Sequence, residues 1–179
     1  MIDPNLVHLW IMRALFVLLS LAILFFHLLP LNPTPSRWAG PDLLVAVTFA
    51  WAIRRPEFVP ILLVACVTLL ADLMLQRPPG LWSAMVVCAA EWLKSRERRQ
   101  RETTFVLEWL TFAGTLTLIT ALYHAVLTIL ILAPGTLTLA VIQTVMTIVA
   151  YPLVVGVSHF AFGVRRAAPG DVDRLGRAT

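Results

Sequence analysis

Long apolar runs, separated by short segments that carry most of the charges, dominate this chain. Lipid has no water to satisfy exposed backbone groups, so a segment that crosses a membrane must be helical or belong to a closed barrel. The runs lack the alternation of apolar and polar residues that barrel strands show. We therefore predict an all-α membrane protein, a bundle of six transmembrane helices. The predicted helices are residues 10–31, 41–53, 59–76, 79–93, 104–133 and 137–164.

The composition agrees with a membrane protein. Apolar residues make up 59% of the chain and charged residues 13%, whereas a typical soluble domain has about 25% charged residues. The net charge is +4, but the basic residues lie at the ends of apolar runs rather than in a basic motif with stacking aromatic residues. We therefore expect membrane lipids as surroundings and no nucleic acid as a partner.

The sequence carries no motif for catalysis or metal binding. Its histidines and cysteines do not have the spacing of zinc ligands. It has neither a glycine-rich phosphate loop nor the elbow that presents a nucleophilic serine. We therefore predict no enzymatic activity, no metal and no cofactor.

The basic residues also predict an orientation. If six helices alternate in direction, all 14 Lys and Arg residues except Arg37 and Arg77 fall on one side. The positive-inside rule then places both termini in the cytoplasm. Tryptophans are expected at the two interfaces, with Trp38 and Trp82 at the outer one. Those expected at the inner interface are Trp10, Trp51, Trp92 and Trp109.

Basic residues at the predicted inner ends are expected to act as anchors whose charged groups reach the lipid headgroups. These anchors are Arg54, Arg55, Lys94, Arg96, Arg98, Arg99 and Arg101. Residues 1–166 form the predicted transmembrane domain. Residues 167–179 are polar and too few to fold alone, so we expect a disordered cytoplasmic tail.

The second predicted helix is short and begins with Pro41 and Asp42. It is about 20 Å long, against a hydrocarbon core of about 30 Å, so it must lie among neighbouring helices or recruit its flanks. Proline suits the first helical position, and a carboxylate suits the positive end of the helix dipole. We interpret Asp42 as a cap, with direct contact to a partner protein as the alternative.

Asp72 and Glu91 also lie in apolar runs. A charge at bilayer depth costs about 2.5 to 3.5 kcal/mol, so a residue that carries one faces a bundle interior, a cavity or a partner. Thr68, Asp72 and Gln76 are four residues apart and predict a polar seam on the third helix. Asp72 is interpreted as a structural carboxylate, either paired with Arg77 or hydrogen-bonded. A partner or ligand contact and a proton relay are the alternatives.

The second of these carboxylates, Glu91, lies near the inner end of the fourth helix. Lys94 follows one helical turn later, so we expect a surface ion pair. Glu108, at the start of the fifth helix, is expected to stay hydrated. Glu91 is also retained as a candidate contact for a partner.

Helices five and six carry packing signals. Small residues recur every four positions along helix five, which allows another helix to approach closely. They are Ala113, Thr117, Ala121 and Ala125. We expect this ridge to pack inside the protein, with docking of a partner helix as the alternative. In helix six, Pro152 and Gly156 predict a kink, with Thr147 or Ser158 bonding the freed backbone groups.

Residues 39–94 contain the features that resemble a known family. They are a PDLL start at 41–44, a short helix ending in WAIRR at 51–55, the intramembrane Asp72, and a turn with Gly80. Together with the chain length, the six-helix plan and the PGDVDRLG tail, they resemble the bacterial rod shape-determining MreD family. The strongest part of the resemblance covers about a third of the chain.

The resemblance implies a non-enzymatic inner-membrane component of the rod complex, which maintains cell shape through lateral peptidoglycan synthesis. The implied partners are the single-span scaffold MreC and, through the complex, the MreB filament, the glycosyltransferase RodA and its transpeptidase. The family's fold is thought to be similar to the substrate-binding subunits of energy-coupling-factor transporters. A small-solute-binding subunit of that type is therefore the alternative. In such subunits helix one has alanines four residues apart, whereas here Leu18 follows Ala14 at that spacing.

Overall fold

A computed structural model describes residues 4–29, 39–99, 104–130, 136–162 and 164. Within them the chain forms six α-helices, one short 3₁₀ helix and no strand, so the predicted all-α class and the number of helices are confirmed. The helices are α1 (Pro4–Leu28), α2 (Leu43–Arg54), α3 (Ile61–Met74), α4 (Leu81–Arg99), α5 (Phe105–Ile129) and α6 (Leu137–Phe162). The 3₁₀ helix, Pro56–Phe58, follows α2. The predicted tail at 167–179, Arg37 and Trp38 lie outside the described residues.

Three of these helices are long and apolar enough to cross a membrane: Leu6–Leu28, Phe105–Ile129 and Leu137–Phe162. This supports a membrane protein. The apolar helices α2 and α3 have 12 and 14 residues. At 1.5 Å per residue they are about 18 and 21 Å long, shorter than the bilayer core. Six crossings of the membrane therefore stay a prediction.

The short helix α2 lies at the centre of the bundle. All its residues from 44 to 53 are buried, and it contacts α1, α4, α6 and the 3₁₀ helix. A helix that is apolar on every side is stable when neighbours cover every side. The prediction that α2 lies among neighbouring helices is confirmed. The interfacial position predicted for Trp51 is wrong, because its ring is fully buried and its Nε1–H donates to Ser158 Oγ at 3.2 Å.

Contacts between the helices define two ends of the bundle. At the Asp42 end, where α2 begins, Asp42 bonds to α6 and the turn between α3 and α4 lies nearby. At the Arg54 end, where α2 finishes, Arg13 of α1 donates to the Glu57 carbonyl at 3.1 Å. Phe162, the last residue of α6, contacts the Trp51 ring at the same end. The start of α1 and the finish of α6 therefore lie at one end of the bundle.

Pro152 interrupts the hydrogen bonding of α6. A proline has no N–H, so the carbonyl four residues earlier loses its donor. Here that carbonyl belongs to Ile148, and the Nε1–H of Trp109 on α5 donates to it at 2.9 Å. Trp109, rather than Thr147 or Ser158, bonds the freed carbonyl: the Thr147 hydroxyl donates to the Gln143 carbonyl, and Ser158 Oγ accepts from Trp51. The helices α5 and α6 are thus joined where the α6 backbone would be unsatisfied.

Candidate functional site

Asp42 caps α2. Its Oδ1 accepts a hydrogen bond from the Val45 N–H at 3.1 Å, and its own N–H donates to Thr147 Oγ1 at 2.8 Å. The interpretation of Asp42 as a cap is confirmed. Because Asp42 itself is the cap and the helix begins at Leu43, Pro41 precedes the cap rather than occupying the first helical position. Asp42 Oδ2 lies 3.9 Å from a guanidinium nitrogen of Arg77.

Asp72 caps a different helix from its own. Its Oδ2 accepts the backbone N–H groups of Gly80 at 3.1 Å and Ser83 at 3.0 Å, and the residue is fully buried. Gly80 immediately precedes α4 and Ser83 lies in its first turn, where donors have no partner within the helix and the dipole favours an anion. Asp72 is therefore a hydrogen-bonded carboxylate rather than the ion-pair partner of Arg77. Its Oδ1 is buried without a hydrogen bond.

The predicted seam of Thr68, Asp72 and Gln76 is only partly formed. Thr68 and Asp72 are both buried on α3, and the Thr68 hydroxyl donates to the Val64 carbonyl at 2.8 Å. The helix finishes at Met74, and Gln76 adopts a left-handed backbone conformation with φ of 53°. Gln76 is therefore exposed in the turn and does not extend the face of α3.

A buried ion pair lies at the Arg54 end. Arg54 donates to both carboxylate oxygens of Glu108, at 3.1 and 3.3 Å, and the Tyr151 hydroxyl donates to Glu108 Oε1 at 2.8 Å. Glu108 is 4% exposed. The expectations of a hydrated Glu108 and of Arg54 reaching the headgroups are both wrong. Each charge compensates the other inside the bundle, which a buried charge requires.

Lys94 is likewise buried. Its Nζ donates to the Val59 carbonyl and to Glu91 Oε1, both at 2.6 Å. The predicted pair with Glu91 is confirmed, but Lys94 is 5% exposed and does not act as a headgroup anchor.

Two of the predicted anchors, Arg55 and Arg96, are partly exposed. Arg55 pairs with Glu57 at 3.3 Å, and the Arg96 guanidinium lies 5.5 Å from the Trp92 ring centre. Their role as anchors stays a prediction. The side chains of Arg98 and Arg99, and all of Arg101, lie outside the described residues.

The small-residue ridge of α5 points away from the bundle. Thr117, Ala121 and Ala125 are exposed, and Ala113 is half-buried. The expectation that this ridge packs inside the protein is therefore wrong for three of its four members. The α5 sequence is apolar on nearly all sides, so its pattern does not say which side packs. Docking of a partner helix, the alternative, remains.

A cavity of about 510 Å³ opens at the Asp42 end. It lies between α5, α6, the turn between α3 and α4, and the segment that leads into α2. The rings of Trp82 and Tyr123 form an edge-to-face pair on its wall, with centres 5.2 Å apart. Asp42 and Arg77 also line it. The other polar residues of the lining are Gln76, Thr120, His124, Thr136, Gln143, Thr144 and Thr147, and the rest of the lining is apolar.

Sequence reasoning missed most of this cavity. Thr120, Tyr123, His124 and Gln143 were not singled out, although polar side chains inside membrane-length apolar helices are a recognised signal of function. Among the residues that the structure describes, no group of three or more His, Cys, Asp or Glu side chains is placed to hold a metal ion.

Comparisons with protein-family profiles, curated proteins and solved structures give no match for this chain. The arrangement of the site therefore carries the functional argument, together with the motifs of the sequence.

Proposed function

We propose that this chain is a non-enzymatic, MreD-like component of the bacterial rod complex. In this proposal it binds MreC in the inner membrane and, through the complex, acts with MreB, RodA and the transpeptidase in lateral peptidoglycan synthesis. Both termini face the cytoplasm, so the Arg54 end is the inner end. The proposal starts from the resemblance of residues 39–94, and one observation in the described part of the chain supports it.

That observation is the exposed ridge of α5. The helix has 25 residues, or about 38 Å, which is enough to cross a bilayer. Thr117, Ala121 and Ala125 are exposed along it. Helices associate in lipid through close packing, because lipid tails already satisfy apolar surface, and small residues let two backbones approach. A single-span protein such as MreC offers one helix of the kind that this ridge can accept.

The three acids for which partner contact was the alternative make structural contacts within the chain. Asp42 and Asp72 cap α2 and α4, and Glu91 binds Lys94. These contacts fix where the helices begin and how they face one another. The proposed partner surface is therefore smaller than the sequence suggested: it is centred on the α5 ridge, and the acids stabilise the helices rather than contact the partner.

The test is crosslinking between α5 and MreC in living cells. Ala121→Phe places a large ring on the ridge, and we expect it to reduce crosslinking to MreC at least about tenfold, because the partner backbone can no longer approach. Leu118→Phe is the matched control, since Leu118 is 59% exposed on the same helix but lies off the ridge. Equal crosslinking in the two variants would refute the proposed surface.

A small-solute-binding subunit of the energy-coupling-factor type is the second candidate. The cavity of about 510 Å³ favours it, because ligand pockets are commonly about 300 to 1,000 Å³. The two candidates differ in their partners. Isolation of the chain with a transporter's coupling subunits, and without MreC, would favour the second.

A further inference from the structure

The cavity at the Asp42 end is balanced in charge. Asp42 and Arg77 are the charged residues among the described ones that line it, and their closest charged atoms are 3.9 Å apart. Asp42 also uses its Oδ1 for the cap of α2. A charged ligand would have to separate this pair or remain uncompensated, and both are costly away from bulk water. The charges therefore favour an uncharged ligand.

The cavity also holds polar groups with spare hydrogen-bonding capacity. His124 Nδ1 is buried and has no hydrogen-bond partner. A buried polar atom normally has a partner, so the unpaired His124 Nδ1 indicates that something polar completes the cavity. The half-buried side chains of Thr120 and Gln143 and the exposed side chain of Gln76 make no hydrogen bond with any described residue, so they are available to the same ligand.

The hydroxyl of Thr120 differs in its hydrogen bonding from those of other threonines on α5 and α6. Six threonines of α5 and α6 donate to the carbonyl four residues earlier: Thr111, Thr115, Thr117, Thr128, Thr144 and Thr147. Thr120 makes no such bond, although it lies in the middle of α5. Its hydroxyl is therefore available to the cavity.

The chemistry of these groups narrows the ligand. Hydroxyl, amide and imidazole groups each present both donors and acceptors, as the hydroxyl groups of a ligand do. The Trp82 and Tyr123 rings give the wall an apolar surface with a negative π face, which suits the C–H face of a saturated ring.

We propose that this cavity binds an uncharged ring that carries several hydroxyl groups, a sugar-type ligand, between the Trp82 and Tyr123 wall and the polar groups of α5 and α6. The site does not depend on the rod-complex proposal, because it uses a different face of α5 from the ridge. Such a ring comes from one of two sources, a free sugar or the headgroup of a glycolipid.

The test uses the purified full chain in phosphatidylcholine nanodiscs. Methyl glycosides of glucose, galactose and N-acetylglucosamine are titrated and followed by saturation-transfer NMR. In parallel, nanodiscs doped with monoglucosyl diacylglycerol are analysed by native mass spectrometry for bound glycolipid. Inorganic phosphate and choline serve as charged comparison probes.

Three variants locate the binding. Thr120→Val and Gln143→Leu remove one polar group each at nearly constant volume, and we expect about a fivefold to tenfold loss of affinity. Thr117→Val is the matched control, because it makes the same change on the exposed side of α5 and should leave affinity unchanged. Circular dichroism verifies that all three variants keep their helices.

The proposal is supported if the glycosides, the glycolipid or both bind saturably, and if Thr120→Val and Gln143→Leu weaken this binding while Thr117→Val does not. The class of probe that binds identifies the source of the ring. The proposal is overturned if neither class binds, if Thr117→Val weakens binding equally, or if phosphate or choline binds more tightly.

Discussion

Asp72 provides the sharpest test of how this fold is held together. Its carboxylate accepts the N–H groups of Gly80 and Ser83 at 3.1 and 3.0 Å, in a site with no exposure. Asp72→Leu removes the acceptor and leaves two donors buried without partners. Asp72→Asn removes the charge but keeps one oxygen that can accept both bonds.

The expected magnitudes follow from these contacts. Each buried group left unpaired costs about 1 to 3 kcal/mol, and loss of a buried carboxylate with an unbonded Oδ1 recovers part of that cost. We expect Asp72→Leu to lower the free energy of unfolding by about 2 to 4 kcal/mol. For Asp72→Asn we expect about 1 kcal/mol, because the loss is mainly the interaction of the charge with the helix dipole.

The assay is reversible unfolding by sodium dodecyl sulfate in mixed micelles, followed by far-ultraviolet circular dichroism. Leu73→Ala is the control, since Leu73 is the next residue on α3 and is 55% exposed. It should change stability by less than about 0.5 kcal/mol. A stable Asp72→Leu protein, or an Asp72→Asn protein as unstable as Asp72→Leu, would show that the carboxylate does not cap α4.

Two further predictions concern other internal contacts. Trp109→Phe keeps an aromatic ring but leaves the Ile148 carbonyl without its donor. We expect the free energy of unfolding to fall by about 1 kcal/mol in the same assay. An unchanged free energy would mean that this bond is not needed at Pro152. Arg54→Met removes the guanidinium that donates to both oxygens of the buried Glu108 carboxylate and should cost about 3 to 5 kcal/mol, whereas the double variant Arg54→Met with Glu108→Gln should be closer to the parent. A double variant less stable than Arg54→Met would contradict that reasoning.

Local signals in the sequence were enough to predict the helices and the cap at Asp42. A long apolar run predicts a helix, and an aspartate just before the run predicts where that helix begins. The pair of Glu91 and Lys94 was also predictable, because one helical turn brings the two side chains together.

The partners of the buried charges were not predictable, because they come from distant parts of the chain. Glu108 is 54 residues from Arg54, and the Val59 carbonyl is 35 residues from Lys94. A basic residue at the end of an apolar run looks the same in sequence whether it reaches lipid headgroups or a buried acid. The cavity has the same origin, since its wall is assembled from several helices and a turn.

The cap that joins Asp72 to the start of α4 has a consequence for the order of folding. Until residues 80 to 83 are in place, the Asp72 carboxylate on the 14-residue α3 lacks both of these backbone donors, and the start of α4 lacks their acceptor. Once α4 begins, the same acid closes the turn and both helices lose their unsatisfied groups together. α3 and α4 therefore reach their stable form together, as one hairpin, rather than one after the other.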